Sequence, residues 1–218
     1  GFANVQQMRF FAIAQNDNNS IVVILKERQR LNDLGIEIYT VTLTRISSME
    51  ILKAIKERRS IRSFQKKEIP GEIVDKLIDA LIWAPSAGNL QARKFFFIKD
   101  AKLKKGIVSA ALNQDFIADA PLVIIGCTDN TISRRYGDRG VYLYSIQDVA
   151  ASIVGMMLVA HENGLGTVWV GAFDEEEVFN LLNLPENLRP VAIVPVGYPL
   201  MIPQPPPRVS RHEAVEFR

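Results

Sequence analysis

The chain is 218 residues long, with 48% hydrophobic and 23% charged residues, a composition that excludes disorder, collagen and coiled coil. That length predicts one sizeable domain, or one domain with an appendage, able to bury a core without metal or disulfide staples. Lys plus Arg number 26 and Asp plus Glu 24, a formal charge of +2, so no general positive excess favours nucleic acid or an anionic membrane, and any anion site must be local.

Cys127 is the only cysteine, which excludes an intramolecular disulfide, leaves a Cys-based zinc site without ligands and fits a reducing compartment. The longest uncharged stretch near the middle, Val149 to Ala160, is shorter than a bilayer span. The N-terminus lacks the charged start, apolar centre and small-residue cleavage site of a signal peptide. The expectation is a cytoplasmic protein.

Ser47-Ser48-Met49-Glu50 has the Ser-x-x-Glu spacing of a capping box, followed by Ile51, Leu52 and Ile55 at helical spacing. A helix is expected to begin near Met49, which divides the chain into an N-terminal extension, residues 1–48, and a main domain, residues 49–218. The extension holds a polar turn (Asn16 to Ser20), an apolar run (Ile21 to Leu25) and an alternating segment ending Ile36 to Val41. It reads either as strand, helix and strand, or as sequence with no structure of its own ahead of a natural start at Met49.

In the main domain, Pro70 at a first helical position precedes Ile73, Val74, Leu77, Ile78 and Leu81, one apolar helix face that stops before Pro85. Phe95 to Ile98 reads as a short buried strand, Ala101 to Ala111 as a helix and Leu122 to Cys127 as a central strand. A polar loop is expected over Thr128 to Gly140, then a long helix from Tyr142 to Asn163, closed by Gly164. Thr167 to Val170 reads as a strand. Asp174-x-x-Glu177 is a second capping box opening a helix through Leu182, Val191 to Val196 is the last strand, and Pro203 to Pro207 cannot enter a sheet interior. Helices mixed with short apolar strands indicate an α+β or α/β layer architecture.

No Gly-x-Gly-x-x-Gly follows a strand, and no Gly-x-x-x-x-Gly-Lys-Ser/Thr or Gly-x-Ser-x-Gly occurs, which leaves Rossmann, P-loop and common hydrolase sites without support. His161 and His212 are the only histidines and do not form His-Glu-x-x-His. His161 reads as a packed helix residue and Cys127 as a small buried hydrophobe rather than a nucleophile.

Two constellations remain. Arg58-Arg59-Ser60-Ile61-Arg62 closes the first expected helix. Cations there complement the helix dipole, yet guanidinium forks beside a hydroxyl also make a phosphate grip, and Arg58 and Arg62 project the same way if the helix continues. Ala84-Pro85-Ser86-Ala87-Gly88-Asn89-Leu90-Gln91 follows the second helix. It reads as a turn-rich connection, or as a loop whose small residues let a flat ligand approach while Ser86, Asn89 and Gln91 supply donors and acceptors.

These motifs, in this order, resemble the signature of the FMN-dependent nitroreductase family. The long helix from Tyr142, the run Gly164 to Phe173 and the C-terminal Pro207-Arg208 agree with it. The resemblance covers Met49 to Arg218. It implies an α+β fold, a nitroreductase-like three-layer sandwich with a central, mostly antiparallel sheet flanked by helices, as an intertwined homodimer with two FMN sites at the subunit interface. On it, Arg58, Arg59 and Ser60 match positions holding the phosphate and ribityl chain, and Arg62 a basic position near the flavin N1/O2 edge. Pro85, Ser86, Ala87 and Asn89 match the loop given by the other subunit, with Gln91 close by. Gly171 and Ala172 match the segment whose N–H faces flavin N5, and Arg208 a second phosphate contact. Asn113 and Gln114 are candidates for the ring edge.

The sequence departs from the common Asn-x-Gln-Pro-Trp in placing Ala92-Arg93 after Gln91, and it lacks room for the helical insertion of larger members. The implied activity is an NAD(P)H-dependent FMN oxidoreductase, passing hydride to a nitroaromatic, quinone or similar acceptor by a ping-pong cycle. Neither a side-chain acid or base nor a metal is called for, and no nucleic-acid or membrane partner is expected. The uncharged stretch Val149 to Ala160, with Gly155 permitting close approach, is expected at the dimer core. Alternatives are a flavin-dependent dehalogenase or flavin-fragmenting enzyme on the same scaffold, or a non-enzymatic flavin-binding protein.

Overall fold

The structure, a computed structural model, describes residues 9–15, 21–30, 37–46 and 50–218. It divides into two compact units, Gly1–Glu50 and Ile51–Arg218.

In the first unit β1 (Arg9–Gln15), β2 (Ile21–Arg30) and β3 (Glu37–Ile46) form an antiparallel meander in the order β1-β2-β3. The central helix of the strand-helix-strand reading is absent from the described residues. The charged end of β2 stays extended because each of its residues pairs with β3, from Ile21 opposite Ile46 to Arg30 opposite Glu37, and cross-strand pairing overrides helix propensity. The expected turn at Asn16 to Ser20 and the capping Ser47 lie outside the described residues.

The second unit begins with α1 (Ile51–Glu57), α2 (Gly71–Ile82), β4 (Arg93–Ile98), α3 (Ala101–Ala110), α4 (Phe116–Asp119) and β5 (Leu122–Asp129). There follow α5 (Ser133–Arg139), α6 (Ser145–Glu162), β6 (Gly166–Thr167), α7 (Glu175–Leu181), β7 (Leu188–Gly197) and α8 (Arg211–Ala214). The sheet runs β4-β5-β7-β6 with every pair antiparallel. Its two faces carry separate cores. On β5, Val123, Ile125 and Cys127 face the core shared with α3, α4 and α7, whereas Leu122 and Ile124 face the one shared with α2 and α6. Helices on sheet on helices is the expected three-layer α+β sandwich. Burying each of these aliphatic side chains contributes roughly 1.5–3 kcal/mol.

Pro70 is the N-cap of α2 rather than its first residue, its carbonyl accepting from the N–H of Ile73 and Val74 at 3.0 and 3.1 Å. Asp174 Oδ1 accepts from Glu177 N at 2.9 Å, but the Asp174 N–H donates to Ala110 O at 2.8 Å, so only half of that capping box forms. A full box, unread in the sequence, opens α8 with Ser210 and Glu213.

Two expectations need correction. The loop expected over Thr128 to Gly140 is largely helical: a short 3-10 turn, α5 and a π-turn (Gly140–Tyr144) lead straight into α6. Asp129 Oδ1 caps this stretch by accepting from Thr131 N and from Asn187 Nδ2, both at 2.9 Å, a tertiary anchor that polarity alone does not reveal. The strand expected over Thr167 to Val170 shrinks to β6 plus one bridge between Val170 and Ile193. Of Val149 to Ala160, one face packs inside the chain, with Val149, Ile153, Met156 and Ala160 fully buried, while Val154 on the other face is exposed. Gly155 admits a neighbour in its own chain, since a Cβ there would lie 3.6 Å from Ala80 O. Residues 130–162 are long and apolar enough to cross a bilayer by composition, yet this buried face makes α6 a core helix.

Candidate functional site

Helix α1 ends at Glu57, and Arg58 N still donates to Ala54 O at 2.9 Å. The chain then turns to the sheet edge, where Ser60 bridges Thr167 in parallel and Ile61 N donates to Thr167 O at 3.0 Å. Because the helix stops, Arg58 and Arg62 do not share a face. The Arg62 guanidinium instead lies over the Phe116 ring, 6.0 Å from its centroid.

Arg58 is partly buried, and its Nη1 is fully buried with no hydrogen-bond partner among the described residues. Burial, then the nearby cations Arg208 and Arg59, hold its pKa below the usual arginine range. Arginines from opposite ends of the unit are therefore neighbours. A buried cation facing like charges with an unused N–H is costly, and an oxyanion cancels that cost, so a phosphate fits the cluster. Arg59 covers the bland reading as well: its Nη1 donates to Lys56 O and Arg58 O at 2.7 and 2.9 Å, closing the end of α1. Arg208 is exposed and donates to Pro207 O at 3.1 Å. His161, read as a packing residue, borders the cluster from α6. Its Nε2 is buried without a partner among the described residues, and its pKa is lowered by burial and by Arg58 and Arg59, against Glu57.

The second constellation is a loop of left-handed backbone. Gly88, Asn89 and Gln91 have φ of 56°, 56° and 52°, a conformation that costs a side-chain-bearing residue about 1–2 kcal/mol. Ser86 Oγ accepts from Gln91 N at 3.1 Å, and Ala87 N donates to Asp148 Oδ1 at 2.9 Å. Asp148, on α6, is 4% exposed, and its Oδ2 has no partner among the described residues. Arg93 donates to the carbonyls of Ile82, Ala84 and Pro85 at 3.1, 2.7 and 3.1 Å. The departure at Ala92-Arg93 thus supplies a clamp on the loop. Pro85, Asn89 and Gln91 are exposed, and Gln91 also borders an apolar cavity of about 390 Å³ with Ile78, Ile82 and Phe95.

Gly171 and Ala172 are exposed, and among the described residues neither N–H has an acceptor. Gln114 Nε2 donates to Ala172 O at 3.3 Å and to Ala111 O at 3.0 Å, which brings Gln114 to this segment. Asn113, with φ of 57°, is exposed and makes no side-chain hydrogen bond among the described residues. Cys127 is buried, and burial pushes its thiol up to about 12, which removes it as a nucleophile. Asp148 escaped the sequence reading, although an acid in an otherwise apolar helix was the signal for it. Among the described residues no group of three or more His, Cys, Asp or Glu is placed to hold a metal.

The nitroreductase family model matches residues 55–198. A Methanothermobacter thermautotrophicus protein named for NADH dehydrogenase/NAD(P)H nitroreductase activity is 33% identical over 159 residues, 71% of this chain and 80% of its own length. The iodotyrosine deiodinase of Thermotoga neapolitana is 26% identical over 185 residues, 73% of this chain and 92% of its own. Among solved structures, the NADPH:FMN oxidoreductase of Vibrio harveyi, complexed with NAD+, superposes with a TM-score of 0.72 at 26% identity, covering 77% of this chain and 76% of the other. With the model spanning most of the second unit and the motifs at both ends of it, the chain belongs to the nitroreductase family.

Proposed function

We propose that the chain is an FMN-dependent oxidoreductase taking hydride from NAD(P)H and delivering electrons to a nitroaromatic, quinone or similar small acceptor in a ping-pong cycle. The observation that carries the reading is the orphaned, buried Nη1 of Arg58 beside Arg208 and Arg59. A phosphate monoester satisfies that donor and cancels the mutual repulsion. FMN, when bound, supplies the redox chemistry. Arg58, Arg59 and Arg208 hold its phosphate, with the Ser60 hydroxyl alongside. Arg62 is a fixed cation for the edge of the ring that gains negative charge, and the free N–H groups of Gly171 and Ala172 supply donors to the ring nitrogen. No protonating side chain is required for the hydride step.

A homodimer is part of this reading. The arginine cluster borders His161 at one end of α6, and the loop of Pro85, Ser86, Ala87, Asn89 and Gln91 hangs from Asp148 at the other. Thirteen residues of helix put about 20 Å between those anchors. A ligand gripped by both draws the loop from a second copy. The second unit holds every residue assigned to the site; the buried, reduced Cys127 fits work in the cytoplasm.

The test is to purify the protein with FMN and record its visible spectrum and its oxidation of NADH or NADPH with menadione. Arg58→Ala combined with Arg208→Ala is expected to lose the flavin on gel filtration while remaining folded. Full retention of flavin removes the phosphate assignment, and a single bleaching without turnover favours a flavin-binding protein. Similarity to the deiodinase supports a second acceptor class, halogenated phenols, tested by halide release from iodotyrosine.

A further inference from the structure

Helix α5 and the π-turn after it form a cluster that the flavin site does not use. Arg134, Arg135 and Arg139 are all exposed on this stretch. Against its burial, the Asp129 carboxyl is held below the usual range by hydrogen bonds from Asn187 and Thr131, with the Arg134 charge adding to them. Arg135 and Arg139 have no ion-pair partner among the described residues. Tyrosine faces order them instead. The Arg135 guanidinium lies over the Tyr136 ring, 5.7 Å from its centroid, and Arg139 over Tyr144 at 5.4 Å. Arg139 Nε also donates to the Tyr144 hydroxyl at 3.0 Å, and the two rings meet edge to face at 5.3 Å. Cation–π contacts fix a guanidinium without neutralising it, so two preorganised positive charges remain available.

The backbone is shaped to put them there. Gly137 breaks α5 with φ 53° and ψ −148°, and Gly140 is crowded by Tyr136, whose Cβ would lie 2.8 Å from an added methyl. A π-turn is rare and concentrates at functional sites. The Tyr136 hydroxyl packs against Gly88 in the strained loop. Wherever that loop meets a flavin, α5 accompanies it, so Arg135 and Arg139 lie on the loop's side of the ligand.

We propose that Arg135 and Arg139 form a subsite for the phosphates of the reduced dinucleotide donor. This inference rests on the oxidoreductase reading above and adds to it where the donor's anionic half is held. A nicotinamide on the ring needs its charged tail anchored outside the pocket, and planar guanidinium forks suit phosphate oxygens.

The experiment uses the full-length, FMN-loaded protein and two donors: NADPH, and N-benzyl-dihydronicotinamide, which carries the reacting ring without phosphate. In Arg135→Ala/Arg139→Ala the ratio of kcat/KM for NADPH to that for the benzyl donor is expected to fall about tenfold or more, and calorimetric affinity for NADP+ to weaken by about the same factor. The Lys pair, Arg135→Lys/Arg139→Lys, is expected to recover part of both. Without any variant, added KCl lowers kcat/KM of the wild type for NADPH and leaves the benzyl donor unaffected. An unchanged donor ratio in the variant, or equal salt sensitivity for both donors, overturns the subsite alone. A wild-type holoprotein that turns over neither donor overturns the oxidoreductase reading and the subsite together.

Discussion

At the scale of single residues, the site is built from groups whose own hydrogen bonds are incomplete. Arg58 Nη1 and Asp148 Oδ2 are both buried without partners among the described residues, and each borders one of the two constellations. Asp148 Oδ1 gives the loop its only described side-chain acceptor from outside the loop itself, at Ala87 N. Its carboxylate also attracts Arg93, opposing the burial that depresses that arginine. Removing a buried acceptor leaves an N–H unsatisfied at a cost of about 1–3 kcal/mol. Asp148→Ala is therefore expected to destabilise the fold by that amount in urea titrations and to weaken FMN binding. Asp148→Asn keeps an acceptor oxygen and is expected to lose less of both. Equal losses in the two variants would show that charge opposite Arg93, not the bond to Ala87, is what the loop needs.

At the scale of elements, the contact that positions the arginines is the approach of Ser60 and Ile61 to β6. A Cβ on Gly166 would meet the Ile61 side chain, its own Cβ only 2.8 Å away. Those atoms sit at the root of Ile61, so the backbone must move. Gly166→Ala is expected to cost about 1–3 kcal/mol through overpacking, visible as a lower Tm, and to weaken FMN binding by displacing Arg58 and Arg59. Normal flavin affinity in that variant would mean the arginines are set by α1 alone. Glycine in the run Gly164 to Phe173 was legible as a motif, but its partner was not, because the two segments are distant in the chain. The helical turns from Asn130 to Gly140 are hidden in the sequence for a related reason: a polar, glycine-broken stretch has no apolar helix face long enough to see, and its cap comes from Asp129 held by Asn187.

At the scale of the whole molecule, the second unit leaves apolar side chains in water. Ile51, Leu52 and Ile55 on α1 are 73%, 53% and 53% exposed, a row that a lone protomer has no use for. If the proposed dimer covers them, Leu52→Glu/Ile55→Glu shifts the protein to a monomer in sedimentation, and flavin leaves with the partner's loop. A variant that stays dimeric would place the interface elsewhere, and a monomer that keeps flavin would remove the second copy from the site.

The sequence by itself determined the local periodicities and the motifs. The apolar face of α2, the buried run of β5, the glycine closing α6 and the two arginine and loop signatures are all local patterns, each set by spacing within a few residues. The tertiary arrangement alone brings Arg208 back to Arg58, sets Asp148 and Arg93 on the loop, and packs one face of α6 inside its own chain. Those facts depend on which distant segments share a surface, and burial, charge and unpaired donors acquire their energies only once that surface exists.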